Sequence, residues 1–420
     1  MAKFSRPTGT QDILPEDQPY WEFVVSTMTR VAQLYGFEGL QTPIFESTEL
    51  FARGVGDATD IVEKEMYTFT DKGDNSLTLR PEFTAGVVRA YIENGMHKLP
   101  QPVKLYSIGP IFRYERPQAG RFRQFYQFNA EIFGAQDPLA DLETMLLAWD
   151  IYAALGFTGL SFQLNSTGCP ACRPGYMAAL QAHYAQHHAA ICEDCQRRLD
   201  KNPLRVLDCK QAQCQPIIAG APKITEMLCE ECAEHFASLR SYLDDLQKPY
   251  TLNPLLVRGL DYYTKTVFEV WAQNIGAQAA VCGGGRYDGL VSLLEGPNTP
   301  GVGFGAGIER AVLVLKEQEI APPPLPKPPV FITFMDEETR RAAVRLLVEL
   351  RAAGIGTQIA TGGSLRSQLR QANKRDASFV IIVGADELAR NEVTLKDFEA
   401  GEQKPVALDA ISGRLKARLS

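Results

Sequence analysis

Six of the eight residues from 322 to 329, PPPLPKPP, are proline. Proline locks φ and lacks a backbone N–H, so neither a helix nor a central strand can pass through this run. It is a stiff, extended spacer that rises about 3 Å per residue. The chain must therefore fold as separate bodies on either side of a linker at 321–329, and 420 residues suit two or three domains. After the linker, VFITF (330–334) and FVIIVG (379–384) read as buried strands and IGTQIA as a shorter one. ETRRAAVRLLVELRAAG (338–354) reads as an amphipathic helix stopped by Gly354, and SLRSQLRQANKRDA as a second helix. This alternation predicts a small α/β domain over 330–420 with a largely parallel sheet.

The first 320 residues have a different pattern. DPLADLETMLLAWDIYAALG (137–156) is a marked helix, with Asp137 as N-cap, Pro138 in the first position and Gly156 as stop. Around it lie the strand-like runs VKLYSIG (103–109), IFRYE (111–115), QFYQFNAEIF (124–133), TVFEVW (266–271) and AVCGGG (280–285), several joined by hairpin-length loops. The expected fold class is α+β: a mostly antiparallel sheet flanked by helices, built from 1–167 and 246–320. A helical, cysteine-rich insertion at 168–245 interrupts it.

No apolar run approaches a membrane span. The N-terminal MAKFSRPTGTQDILPEDQPYW lacks the apolar core of a signal peptide, so a cytoplasmic protein is expected. In a reducing compartment the nine cysteines are thiols rather than disulfides. Eight of them form CPAC (169–172), CEDC (192–195), CKQAQC (209–214) and CEEC (229–232), with His183, His187, His188 and His235 close by. Paired thiols at this spacing can reach one tetrahedral zinc. Cys169, Cys172, Cys192, Cys195, Cys209, Cys214, Cys229 and Cys232 would make two four-thiol sites, or one site plus spare thiols. The sequence does not give the pairing, and the bland alternative is a set of buried thiols in a helical module. Cys282 stands apart and reads as a packed thiol.

A net charge of −7 argues against indiscriminate nucleic-acid binding but allows local basic patches. One such patch is FRYERPQAGRFRQF, which places Arg113, Arg116, Arg121 and Arg123 on a hairpin with its loop at about 116–123. A guanidinium fork matches phosphate oxygens, while a solvated charged hairpin is the bland reading. On the returning strand Gln127, Asn129 and Glu131 share one face, backed by Tyr126, Phe128, Ala130 and Ile132. TLRPEFTAGVVRAY (78–91) sets Glu82 and Thr84 just before a helix. VRGLDYYTKTVFEVW (257–271) sets Arg258, Asp261, Tyr262 and Tyr263 at the start of a strand. CGGGRYDGL (282–290) and PGVGFGAGIERAVLVL (300–315) give glycine runs followed by a helix carrying Arg310. Their spacing is wrong for a dinucleotide fingerprint. Close backbone approach, to a flat ligand or another element, accounts for them better.

Together these segments resemble histidyl-tRNA synthetase, a class II aminoacyl-tRNA synthetase family, over essentially the whole chain. GFEGLQTPIFE (36–46), the arginine hairpin and GVGFGAGIER resemble the three class II motifs, and RGLDYYT and GGGRYDG resemble segments particular to the histidine enzymes. The resemblance implies an antiparallel class II core forming a homodimer. It also implies ATP-dependent activation of L-histidine to histidyl-adenylate, with Mg²⁺, followed by transfer to the 3′ end of tRNA(His). Arg113 and Arg258 match the catalytic arginines near the α-phosphate. Arg113, Glu115, Arg121 and Arg310 match ATP-binding positions. Glu82, Thr84, Gln127, Glu131, Arg258, Tyr262, Tyr263 and Tyr287 match histidine-binding positions. Arg116 and Arg123 of the hairpin loop, and Arg366, Arg370 and Lys374 of a C-terminal helix, are expected to touch tRNA. RPTGTQDILP (6–15) resembles a segment near the acceptor end. The insertion sits where the family places an acceptor-stem clamp, and the last domain matches an anticodon-binding domain. The competing reading is a non-catalytic synthetase-like regulatory subunit of the first enzyme of histidine biosynthesis. The intact RGLDYYTKTVFE and the C-terminal domain argue against it.

Overall fold

The computed structural model describes residues 4–56, 59–117, 120–273 and 280–419. The chain separates into two compact units, Met1–Pro323 and Pro324–Ser420, parted inside the proline run.

The first unit is built on an eight-stranded sheet. Its strands, in spatial order, are Glu38–Gly39, Val103–Phe112, Gln124–Phe133, Gly301–Gly307, Ala280–Arg286, Thr264–Trp271, Ser161–Ser166 and Tyr250–Leu252. Only the two outermost pairings are parallel. Alternation along the strands gives the sheet two unlike faces. Phe128, Ala130, Ile132, Val302, Phe304, Phe268 and Val270 point to one of them. There they pack against helices Gln18–Leu34, Pro138–Ala154, Glu230–Asp245 and Ile308–Glu317. The Pro138–Ala154 helix starts as expected, with the Asp137 side chain accepting from Leu139 N at 2.8 Å, and Gly156 takes φ +85° just past its end.

One charged side chain lies within the apolar face. Arg286 is fully buried and donates to the Asp141 carboxylate, to Asp288 Oδ1 at 3.0 Å and to Ala135 O at 2.9 Å. His235 Nε2 lies 3.3 Å from the same Asp141. Burial by itself would raise the Asp141 pKa, but Arg286 and His235 overcome this and hold it at about 2. The cluster joins a strand of the sheet to two helices.

Two expectations about this unit need correction. The first hairpin strand ends at Phe112 and does not run on through Glu115, although Arg113 N still bonds Arg123 O at 3.0 Å. Residues 118–119 of its loop lie outside the described residues. The insertion is also less separate than its cysteines suggested. Its small core gathers Tyr176, Leu180, Tyr184, Val206 and Ile218. Its last helix, however, buries Phe236, Leu239 and Leu243 in the core of the main sheet.

The second unit holds a five-stranded sheet in the order Thr357–Ile359, Val330–Phe334, Phe379–Val383, Glu392–Asp397, Gln403–Ala407. The first two pairings are parallel and the last two antiparallel, so the sheet is mixed rather than largely parallel. The added hairpin needs no helical crossover, and its core residues Val393, Leu395 and Val406 alternate with polar ones, so it has no continuous apolar run like those of the parallel strands. The Glu337–Ala352 helix opens with a capping box between Asp336 and Thr339. Buried Gln368 anchors the Leu365–Lys374 helix by bonding Phe334 N and Phe334 O, at 3.0 and 2.8 Å. Arg366, Arg370 and Lys374 are exposed on the opposite side of that helix.

The low folded-state pKa of Asp141 makes its contribution complete above the unfolded value near 4, and the contribution is lost as pH falls through about 2. Asp141→Asn, which leaves Arg286 buried without its counter-charge, is expected to cost about 3–5 kcal/mol at neutral pH. Denaturant unfolding of the variant, compared with wild type from pH 7 downward, should show that difference shrinking in acid.

Candidate functional site

The second face of the main sheet carries the site, and its form follows from cross-strand register. Gln127, Asn129 and Glu131 stand opposite Gly307, Gly305 and Gly303. One row across the sheet reads Glu269, Gly283, Gly305, Asn129, Ser107, and the next reads Val267, Gly285, Gly303, Glu131, Leu105. A Cβ on Gly303 would overlap the Glu131 carboxylate, one on Gly305 the Gln127 amide, and one on Gly283 the Arg258 guanidinium. The glycine runs therefore form strands, and their missing side chains make a floor on which three polar groups lie flat.

Glu131 is only 1% exposed, so the polar row does not face solvent. Its carboxylate accepts from Asn129 Nδ2 at 2.7 Å and from the Tyr287 hydroxyl. Burial raises its pKa to about 7, the Tyr287, Thr84 and Asn129 bonds opposing the shift. The Tyr262 ring packs against Tyr263 at 4.7 Å and Tyr287 at 5.6 Å, so three buried phenols wall this end. Glu82 is also buried and accepts from Thr84 N at 2.6 Å and Ala85 N at 2.8 Å, which caps the Thr84–Glu93 helix. Burial raises its pKa too, while those two bonds work the other way.

Arg258 reaches the floor from the segment before the Thr264–Trp271 strand. Its Nη1 donates to Glu269 Oε1 at 2.6 Å, and Trp271 Nε1 holds the other Glu269 oxygen at 2.9 Å. Burial works against its charge, but Tyr263 and Glu269 beside it raise the pKa above the usual value. Two polar atoms here, Arg258 Nε and Gln127 Oε1, are buried without a protein partner. Such atoms are available to a ligand. The site thus offers three carboxylates, a guanidinium, two amides and three phenols, a set suited to a small zwitterion with a polar ring.

The arginine hairpin lies alongside. Arg113 donates from Nε to Pro81 O at 2.8 Å, with its guanidinium 5.6 Å from the Phe125 ring centre. Glu115 lies between Arg113 and Arg121, at 3.9 and 3.4 Å. Arg310 sits near the hairpin tip, where burial and Arg121 both lower its pKa. Glu309, beside it, accepts from Tyr126 N at 3.0 Å and so fastens the helix to the floor strand. Arg116 is exposed. Arg123 is not: it stacks on Tyr114 at 3.8 Å, and its backbone N–H bonds Gly9 O at 2.7 Å, bracing the 6–15 segment against the hairpin.

The structure also pairs the thiols. Cys169, Cys172, Cys229 and Cys232 form one cluster, and Cys192, Cys195, Cys209 and Cys214 the other. The histidines stay outside both: His183 bonds Ile217 O, and His235 lies against Asp141. Cys282 is buried near Tyr152, and burial pushes its thiol up to about 12. Sequence reasoning missed Glu269 and Trp271 as site residues. A carboxylate inside the apolar run TVFEVW was the signal available.

Comparison with known proteins is consistent across the chain. Residues 9–311 match the histidyl-tRNA synthetase family and residues 324–418 the anticodon-binding domain family. The histidine–tRNA ligase of Desulforamulus reducens is 49% identical over 415 residues, covering 99% of each chain. That of Desulforudis audaxviator is 52% identical over 413 residues, covering 98% of each. The crystal structure of apo S. aureus histidyl-tRNA synthetase superposes with a TM-score of 0.82 at 41% identity, over 98% of this chain and 99% of that one. A Bacillus halodurans chain described as an ATP phosphoribosyltransferase regulatory subunit/histidyl-tRNA synthetase is 21% identical, with a TM-score of 0.65 over 92% of this chain and 99% of its own. At that identity the likeness is one of fold.

Gly303→Ala is expected to displace the Glu131 carboxylate and to destabilise the first unit by about 1–3 kcal/mol through overpacking. Gly413→Ala, in the Ile411–Leu419 helix where the added methyl meets no other element, should not destabilise the protein. Denaturant midpoints of the two variants check the contrast.

Proposed function

The chain belongs to the histidyl-tRNA synthetase family, and from that premise we propose which of its residues carry each part of the reaction. The enzyme is a histidine–tRNA ligase. A histidine carboxylate oxygen attacks the α-phosphorus of ATP and the bond to the β-phosphate oxygen breaks, giving histidyl-adenylate and pyrophosphate. A hydroxyl of the terminal tRNA ribose then attacks the acyl carbon and AMP leaves. No protein nucleophile is needed, so catalysis is positioning and neutralisation of phosphate charge. Mg²⁺ bound with ATP would add to that neutralisation.

The observation that carries the assignment is the polar row on its glycine floor. Glu131 and Tyr263 read the two ring nitrogens of histidine, with Tyr262 and Tyr287 enclosing the ring. Glu82, Thr84 and Gln127 receive the ammonium, and the unpartnered Gln127 Oε1 supports that role. Arg258 meets the carboxylate and the α-phosphate, which its unpartnered Nε favours. Arg113 holds the α-phosphate. Arg310, Arg121 and Glu115 frame the nucleotide. A site with buried polar groups rejects ligands that leave them unpaired, which gives selectivity for histidine without editing. Arg116 and the exposed face of Arg366, Arg370 and Lys374 contact tRNA, while Arg123 acts there mainly by bracing the 6–15 segment.

Each cysteine cluster would hold one structural zinc through its four thiolates. Tetrahedral Zn–S bonds of about 2.3 Å require sulfurs about 3.8 Å apart. The sulfurs observed lie at 3.5, 3.6 and 3.7 Å in the first cluster and at 3.8 and 3.9 Å in the second. A homodimer is supported by the small sheet formed by Phe45–Ser47, Ser76–Leu79 and Tyr67–Thr70. It leaves Phe45 51% and Phe69 43% exposed as an edge-to-face pair, an apolar surface that a second copy would cover.

Labelled pyrophosphate should exchange into ATP with histidine and with no other amino acid, and Arg258→Gln should slow that exchange by about 10²–10³-fold. Exchange without histidine, or an Arg258→Gln enzyme of wild-type rate, would overturn the assignment. Metal analysis should find two zinc ions per chain, and Cys192→Ser with Cys209→Ser should remove one of them.

A further inference from the structure

The first cysteine cluster is tied to the segment that bears Tyr263 by both of its thiol pairs. From the CPAC side, Arg173 follows Cys172 directly and its Nη2 donates to the Tyr263 carbonyl. Thr167 N bonds Lys265 O at 2.7 Å, and Lys265 N bonds Gly168 O at 2.8 Å. From the CEEC side, Glu231, between Cys229 and Cys232, accepts from Lys265 Nζ at 2.8 Å. Lys265 itself has φ +49°, a left-handed conformation that a lysine keeps only when its surroundings impose it. A cavity of about 250 Å³ lies on the other side of this segment, against Arg173, Arg258, Asp261 and Tyr263. Where the segment borders that cavity, the hydrogen bonds from the insertion help to hold it.

Arg173 is unusual among these ties. Among the described residues no carboxylate lies within ion-pair distance of it, and its Nε is buried without a partner. It follows Cys172 directly in the chain, beside the first thiol cluster. Four thiolates around one divalent zinc carry two net negative charges, so the guanidinium has a reason to stay beside them while reaching the Tyr263 carbonyl.

We propose that Arg173 is a positioning residue for histidine recognition, transmitting the placement of the first cysteine cluster to the Tyr263 phenol beside Glu131. The inference rests on the histidine site and the structural zinc assigned above. In it, the insertion shapes the amino-acid pocket as well as any RNA surface it presents.

Arg173→Met keeps the aliphatic stem and removes the donors, whereas Arg173→Lys keeps a cation and one donor group. Histidine affinity by calorimetry without ATP, the KM values for histidine and ATP in pyrophosphate exchange, zinc content and unfolding midpoint would be measured for both. Arg173→Met is expected to weaken histidine binding and raise its KM by about tenfold, with the ATP KM within about twofold of wild type and zinc content unchanged. Arg173→Lys should recover part of the loss. Cys169→Ser with Cys229→Ser should weaken histidine binding similarly, and Cys192→Ser with Cys209→Ser should not. Wild-type histidine affinity in Arg173→Met would overturn the inference and leave the site assignment standing. So would a general fall in stability with both KM values moving together. A wild-type chain that fails to bind histidine would instead overturn the site assignment and the inference with it. A wild-type chain without zinc would overturn the metal reading and, with it, the part of the inference that runs through the first cysteine cluster.

Discussion

Removing the Cβ atoms from the middle of a sheet lets other side chains lie flat against its backbone, and this site depends on that arrangement. Gly283, Gly303 and Gly305 are the floor beneath Arg258, Glu131 and Gln127. Any side chain at these three positions would occupy the space the polar groups now fill. Glycine weakens a strand through lost entropy and lost packing. The cost is offset on the reverse face, where Phe128, Phe304 and Phe268 bury the same strands against helices. One sheet is thus a rigid hydrophobic wall on one side and a recess for a ligand on the other.

Buried charge is handled differently on the two faces. On the core face Arg286 has its donors fully engaged and its carboxylate partner is held at a pKa of about 2, as a structural ion pair requires. On the site face Glu131 is raised to about 7, and Arg258 Nε and Gln127 Oε1 have no protein partner. Incomplete pairing costs stability. It is found where a ligand can supply the missing partners, and such perturbed groups gather at functional sites. Glu309 shows that a raised value alone is not enough: it too reaches about 7, yet its carboxylate is spent on the Tyr126 backbone.

The cysteine-rich insertion is bound to the core through its first and last residues. Its final helix lies in the core of the main sheet, and its first thiol pair adjoins Tyr263 through Arg173. A module fixed at both ends to the sheet it interrupts has its orientation set by that sheet.

Much of this was legible in the chain. The proline run fixed the division into two units, because its backbone can join neither helix nor sheet. The period-two alternation of QFYQFNAEIF separated a polar row from an apolar one, and the Asp137–Pro138 start with the Gly156 stop bounded a helix. These are local signals, set by backbone chemistry and by which side of an element a residue occupies. The added strands at 392–397 and 403–407 were not read, since their apolar residues Val393, Leu395 and Val406 alternate with polar ones and form no continuous apolar run. Nor was the pairing of the eight thiols, the partnership of Glu269 with Arg258, or the register that sets glycines opposite Gln127, Asn129 and Glu131. The sequence by itself determined which polar side chains are available for chemistry and which face of each element they share. Only the tertiary structure decided which meet, because register and cross-strand contact depend on segments far apart in the chain settling against one another.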